Sequence, residues 1–247
     1  MRLLLHLFLA ASAAVLFPAS PAHAETPFSD RLTDSLCLDS LPTAAAWYAA
    51  LQVGEREGRA GIPVAVSVDL SVAPGLGINA AGQLLYPMAY NNVAEGWSWQ
   101  PLAKADTEDY YRWKYLPLQS VTEERDGYVQ EDKIGEPQHT RVAWRYDYFL
   151  AFDNPYAFYP RAVDDEPGFV LPLAAAPGTL RLIALAVLAE TPLADSTTFW
   201  KAIHARPVDF TLKKRYLIGR LEALVVCDGA SGTELARLQP AAEKSQR

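Results

Sequence analysis

The side chains in this chain that could do chemistry are chiefly carboxylates. Asp147 and Asp153 fall on the polar side of an alternating segment, and Asp164, Asp165 and Glu166 follow in the next loop. Two carboxyls held about 5–10 Å apart can hydrolyse a glycosidic bond, one as acid and the other as base or nucleophile. Several carboxyl and carbonyl oxygens can instead hold Ca²⁺. The spacing matches no D-x-[DN]-x-[DN]-G loop, so a solvated acidic loop is the plainer reading.

Aromatic residues offer the other chemistry. Trp97 and Trp99 bracket Ser98 in a glycine-flanked loop, and Tyr156, Phe158 and Tyr159 lie in a proline-punctuated one. On exposed loops such rings make a flat platform for a sugar or an anchor for a partner protein. The competing reading is that they fold back over an open end of a sheet. Trp97, Trp99, Tyr156 and Tyr159 are the candidate ligand-binding residues.

Other catalytic groups are scarce. Of the four histidines, His6 and His23 precede an expected cleavage point, leaving His139 and His204. A zinc or copper site needs several imidazole or thiolate ligands together, and covalently held haem needs C-x-x-C-H, which does not occur. No G-x-S-x-G elbow is present either. His204 is expected on a helix, half-buried beside Trp200 and Ile203, and His139 exposed at a strand start. No catalytic residue, metal or cofactor is assigned, and the balance favours a non-catalytic protein.

Arg2 followed by the apolar run Leu3–Phe17, with Ala22, His23 and Ala24 as a small-x-small site, reads as a cleavable export signal over residues 1–24. The expected location is periplasmic or secreted, with no membrane span after cleavage. Cys37 and Cys227, the two cysteines, are then expected to be bonded to each other. Cleavage removes one of 22 Lys+Arg and none of 29 Asp+Glu, which takes the net charge from −7 to −8. Such a surface repels phosphate backbones and excludes nucleic acid as a natural partner.

The elements that must position these groups are mostly strands. Arg141–Asp153 alternates, with Val142, Trp144, Tyr146, Tyr148, Leu150 and Phe152 on one face. Tyr111–Tyr115 alternates similarly, and Arg125-Asp126-Gly127 reads as a hairpin turn within a meander over 109–153. Ile62–Val72, Val208–Leu212, Leu221–Cys227 and Thr233–Leu238 read as further strands, and Thr179–Ala189 as a buried strand or a short helix. Thr43–Gln52, with Ser40 as cap, and Thr197–Ala205, capped by Asp195 or Ser196, read as helices. The last hairpin, with Asp228, Gly232 and Glu234-Leu235, resembles one hairpin of a repeat-blade β-propeller. It occurs once, so an ordinary hairpin is expected.

These readings predict a mainly β fold: one antiparallel, sandwich-like domain with two short helices over residues 25–240, and a frayed tail over 241–247. The expected function is an exported binding or accessory protein of the cell envelope, recognising a protein partner or glycan through its loop aromatics. The alternative is a periplasmic glycan hydrolase using Asp147, Asp153, Asp164 or Asp165.

Overall fold

The alternating run through Trp144 and Phe152 forms the centre of the fold in a computed structural model, which describes residues 36–38, 40–53, 61–69, 77–78, 83–87, 114–131, 135–154, 168–172 and 180–240. The expected signal, the candidate residues Trp97, Trp99, Tyr156 and Tyr159, the acidic loop with Asp164 and Asp165, and the tail lie outside the described residues.

Nine strands and one helix are described. The helix is α1 (Ala44–Val53); the strands are β1 (Pro63–Val68), β2 (Gly77–Ile78), β3 (Gln83–Pro87), β4 (Lys114–Glu131), β5 (Pro137–Phe152), β6 (Gly168–Pro172), β7 (Leu180–Trp200), β8 (Val208–Asp228) and β9 (Glu234–Leu238). The main sheet runs β1-β7-β8-β5-β4, with β9 also on β8, and a smaller one runs β2-β3-β6. The fold is mainly β, as expected. Its main sheet is mixed, because β5 and β8 pair in parallel from Arg141–Val208 to Phe152–Gly219. The other pairings of this sheet are antiparallel, so the expected antiparallel sheet is qualified by one parallel pair: β6 and the long β7 lie between these strands in sequence, and the chain crosses over before β8 returns beside β5.

Three local expectations are also corrected. Thr197–Trp200 is strand, paired from Thr197–Lys213 to Trp200–Phe210, so the second helix does not form. Its Thr-Thr-Phe-Trp sequence suits a pleated surface better than a helix, and the ladder with β8 decides it. Asp126-Gly127 is no hairpin turn but a register shift inside β4. An added Cβ at Gly127 would lie 2.5 Å from the Thr140 carbonyl oxygen, so glycine there lets the strands approach. Val208–Leu212 and Leu221–Cys227, read as two strands, belong to the single strand β8. From Leu180 onward the segment that the pattern leaves between helix and strand is strand, the first half of β7.

The alternation on β5 holds: Tyr146, Tyr148, Leu150 and Phe152 are buried on one face. They meet Leu116 and Leu118 of β4, Leu217, Leu221 and Leu224 of β8, alternate residues of β7, and Val64, Val66 and Val68 of β1. The strands coil with the usual sheet twist until the outermost pair approach, and the Asp69 N–H donates to the Leu118 carbonyl at 2.7 Å. The sheet remains open. α1 covers the mouth of this trough with Ala44, Tyr48 and Leu51, spaced on one helical face. Its cap is Thr43, not Ser40: the Thr43 hydroxyl accepts from the Ala46 N–H at 3.3 Å.

Cys37 and Cys227 are bonded, with Cα atoms 5.7 Å apart and a sequence separation of 190. Arg181 donates to the Cys37 carbonyl at 3.0 Å, so the segment before α1 is fixed to β7 as well as β8. No helix among the described residues is long and apolar enough to cross a membrane.

Candidate ligand-binding cleft

Pro192 determines where the site forms. It has no N–H to give a ladder, and it interrupts an otherwise continuous apolar strand. β7 pairs with β8 at Leu188–Gly219 and again at Leu193–Leu217, so five residues advance on β7 against two on β8. The excess swings out of the sheet beside the C-terminal half of α1. Between them lies a cleft of about 610 Å³ lined by Tyr48, Leu51, Gln52 and residues 190–195. That size falls within the about 300–1,000 Å³ usual for small-molecule sites.

Three bonds set α1 over the trough. The Trp47 indole N–H donates to the Ala65 carbonyl of β1 at 3.0 Å. The Ala45 N–H donates to the Gln119 Oε1 of β4, also at 3.0 Å. The Ser67 N–H reaches the Pro42 carbonyl at 3.3 Å. Tyr48 is thereby pressed against the sheet, its ring 6.0 Å from that of Tyr148 in an edge-to-face contact.

Arg215 packs against Tyr48. Its guanidinium lies 4.6 Å from the Tyr146 ring, 5.1 Å from Tyr48 and 5.6 Å from Tyr148. It also donates to the Tyr148 hydroxyl at 2.8 Å. These stacking contacts occupy the cation without an ion pair among the described residues. Asp195 faces Arg215 across the β7–β8 ladder.

Tyr48 is 3% exposed, yet it lines the cleft. Its hydroxyl makes no hydrogen bond to any described residue. Burial, then the Asp195 carboxylate, pushes its pKa up to about 12 against the opposing pull of Arg215, so the hydroxyl keeps its proton. Glu190 and Asp195 are exposed on the wall and form no hydrogen bond or ion pair among the described residues. Leu51, Pro192 and Leu193 supply the apolar part. The cleft therefore presents a proton donor, two acceptors and an apolar surface to one ligand.

The sequence-based acid–base candidates are arranged differently. Asp147 accepts from the Ser120 hydroxyl and from Arg145, both at 2.7 Å, on the opposite sheet face. Asp153 lies six residues further along the same chain direction, about 20 Å away at strand rise, too far to share a glycosidic bond with Asp147. His139 and His204 are both exposed. For His204 this corrects the half-buried helical position, because residues 201–206 form a turn between β7 and β8. Among the described residues no group of three or more His, Cys, Asp or Glu is placed to hold a metal ion.

Two other polar clusters are internally satisfied. Trp144 has the Arg125 guanidinium 3.8 Å and the Lys213 ammonium 4.3 Å from its ring centre. At the far tip of the sheet, Asp209 accepts from Tyr128 and Lys201, each at 2.9 Å, and from the Ala202 N–H at 2.7 Å. Burial disfavours this carboxylate, but its three donors outweigh that and hold its pKa below the ordinary value. The cluster latches the 201–206 turn.

Sequence reasoning missed Tyr48, Glu190 and Asp195 as a group. The available signal was Glu190-Thr191-Pro192, a polar and proline interruption between two apolar stretches, which marks a bulge. Nothing in the sequence indicates that α1 lies beside it. No protein-family model, curated protein or solved structure matches the chain.

Proposed function

We propose that the chain is an exported, non-catalytic binding or accessory protein of the cell envelope, periplasmic or secreted, recognising a glycan or a partner protein. The observation that carries this reading is the cleft beside α1, which the otherwise buried Tyr48 and the exposed wall carboxylates Glu190 and Asp195 line together. A concave site with a few convergent polar groups beside apolar surface is the usual form of a small-ligand site. Export is supported by the N-terminal pattern and by a disulfide spanning 190 residues, a bond that persists in oxidising compartments. In this reading Trp97, Trp99, Tyr156 and Tyr159 extend the recognition surface. The small sheet acts as the second layer of a sandwich, which the burial of Leu171 in the main core supports.

Thermal denaturation with envelope-derived oligosaccharides, peptides and soluble metabolites tests the reading. A ligand should raise the melting temperature of the wild type but not of a Tyr48→Phe/Asp195→Asn double variant. If no ligand class stabilises the wild type, or if both proteins respond equally, the cleft is not the binding site.

A second reading, carboxylate-based glycan hydrolysis, is favoured by one observation: Glu190 and Asp195 line the same cleft. New reducing ends released from a glycan by the wild type and not by Glu190→Gln would establish it. Binding without release would leave the non-catalytic reading.

A further inference from the structure

We infer that the cleft takes a neutral, hydroxyl-rich ring, one or two sugar units of a glycan, with Tyr48 as hydrogen-bond donor and Glu190 and Asp195 as acceptors. This rests on the reading that the cleft is the binding site, and it adds the ligand's chemical class.

The class follows by comparing what each kind of ligand would leave unsatisfied. An apolar ligand would cover the Tyr48 hydroxyl and two carboxylates without replacing their water. Each group left so is unfavourable, most of all when it is charged. An anion would face Glu190 and Asp195 on the wall, while Arg215, opposite Asp195 on β8, lies against three tyrosine rings and donates to Tyr148. A simple cation would suit the carboxylates but offers no acceptor to the Tyr48 hydroxyl. It would also sit near Arg215, which is already 5.1 Å from the Tyr48 ring.

A sugar hydroxyl both donates and accepts. Neighbouring hydroxyls on one ring can donate to Asp195 and Glu190 while another accepts from Tyr48, and the Gln52 amide on the same wall can serve either role. The C–H face of the ring then meets Leu51, Pro192 and Leu193. Every polar group in the cleft gains a partner, and no net charge is required of the ligand.

Calorimetric titration of the purified protein with neutral oligosaccharides (maltose, cellobiose and N,N′-diacetylchitobiose series), with spermidine as cation and with a sulfated disaccharide as anion, tests this. At least one neutral saccharide should bind with a Kd of about 1 mM or tighter. Its affinity should fall about tenfold or more in Asp195→Asn and in Tyr48→Phe, each first shown to melt like the wild type. It should change little as salt rises from about 0.05 to 0.5 M. Spermidine binding that is lost in Asp195→Asn and in high salt, with no saccharide bound, would overturn the ligand class while leaving the cleft as a site. Saccharide binding that neither variant changes would overturn both the class assigned to the cleft and the cleft itself. Absence of binding by every neutral saccharide would overturn the inference.

Discussion

Replacing Gly219 by alanine should destabilise the protein and distort the cleft together. Gly219 pairs with Leu188, the last β7 residue in register before the strand swings outward. A Cβ at this position would run into the Val187 carbonyl oxygen, with the Val187 carbonyl carbon at 3.1 Å and the Leu188 Cα at 3.2 Å. All three are backbone atoms in a paired strand, so no side chain can turn aside. Against this, Gly→Ala reduces unfolded-chain entropy by about 0.4–1 kcal/mol. Overpacking costs about 1–3 kcal/mol, and backbone obstruction belongs at the upper end. The net loss is about 2 kcal/mol, or roughly 4–8 °C in melting temperature for a chain of this size. Gly135→Ala is the control: its φ of 82° carries a strain of about 1 kcal/mol, but nothing lies within 4 Å of the added atom. Circular dichroism melts should place Gly219→Ala clearly below Gly135→Ala, with faster amide exchange over residues 187–193. A Gly219→Ala protein that melts at or above the wild type would refute the reasoning.

Four further outcomes follow from the structure. Replacing Cys37 and Cys227 by alanine should cost up to about 5 kcal/mol in the chain-entropy picture for a 190-residue loop, seen as a lower denaturant midpoint than that of the oxidised protein. The lowered pKa of Asp209 means that its contribution is present above the ordinary carboxylate value of 3.8 and is lost as pH falls through the lower native value. The indole resonance of Trp200, packed at a tilt against Phe210, should therefore shift in acid below pH 3.8 and already at neutral pH in Asp209→Asn. Because Tyr48 is raised from 10.0 to about 12, the unfolded chain loses this proton first, so stability should be full below pH 10 and decline between 10 and 12. That alkaline loss should shrink in Tyr48→Phe. Finally, protein recovered from an exporting host should begin at Glu25 by mass spectrometry; a retained N-terminus would remove the export reading.

What could be read from the sequence was whatever depends on local period and compartment. Val142 to Phe152 alternates strictly because one face of β5 packs on the core, and Thr43–Gln52 has helical spacing, so both elements were visible. The Cys37–Cys227 bond followed from there being two cysteines and an expected oxidising compartment. Misreadings arose where a distant strand overrode a local signal. Asp195-Ser196 before Thr197 looks like a helix cap, yet the ladder to Lys213 and Lys214 draws those residues into β7. Asp126-Gly127 looks like a turn, yet the close approach of Thr140 makes it a bulge within a longer strand. The cleft was hidden for the same reason: Tyr48 and Asp195 are 147 positions apart, and only the coiling of the sheet brings α1 against the β7 bulge.

The most direct test of the account is a chemical-shift map of the protein titrated with neutral oligosaccharides. The account predicts saturable changes concentrated at Tyr48–Gln52 and Glu190–Asp195, including the Tyr48 ring, and little change at the Asp209 latch. Changes confined to other surfaces, or none at millimolar saccharide, would contradict it.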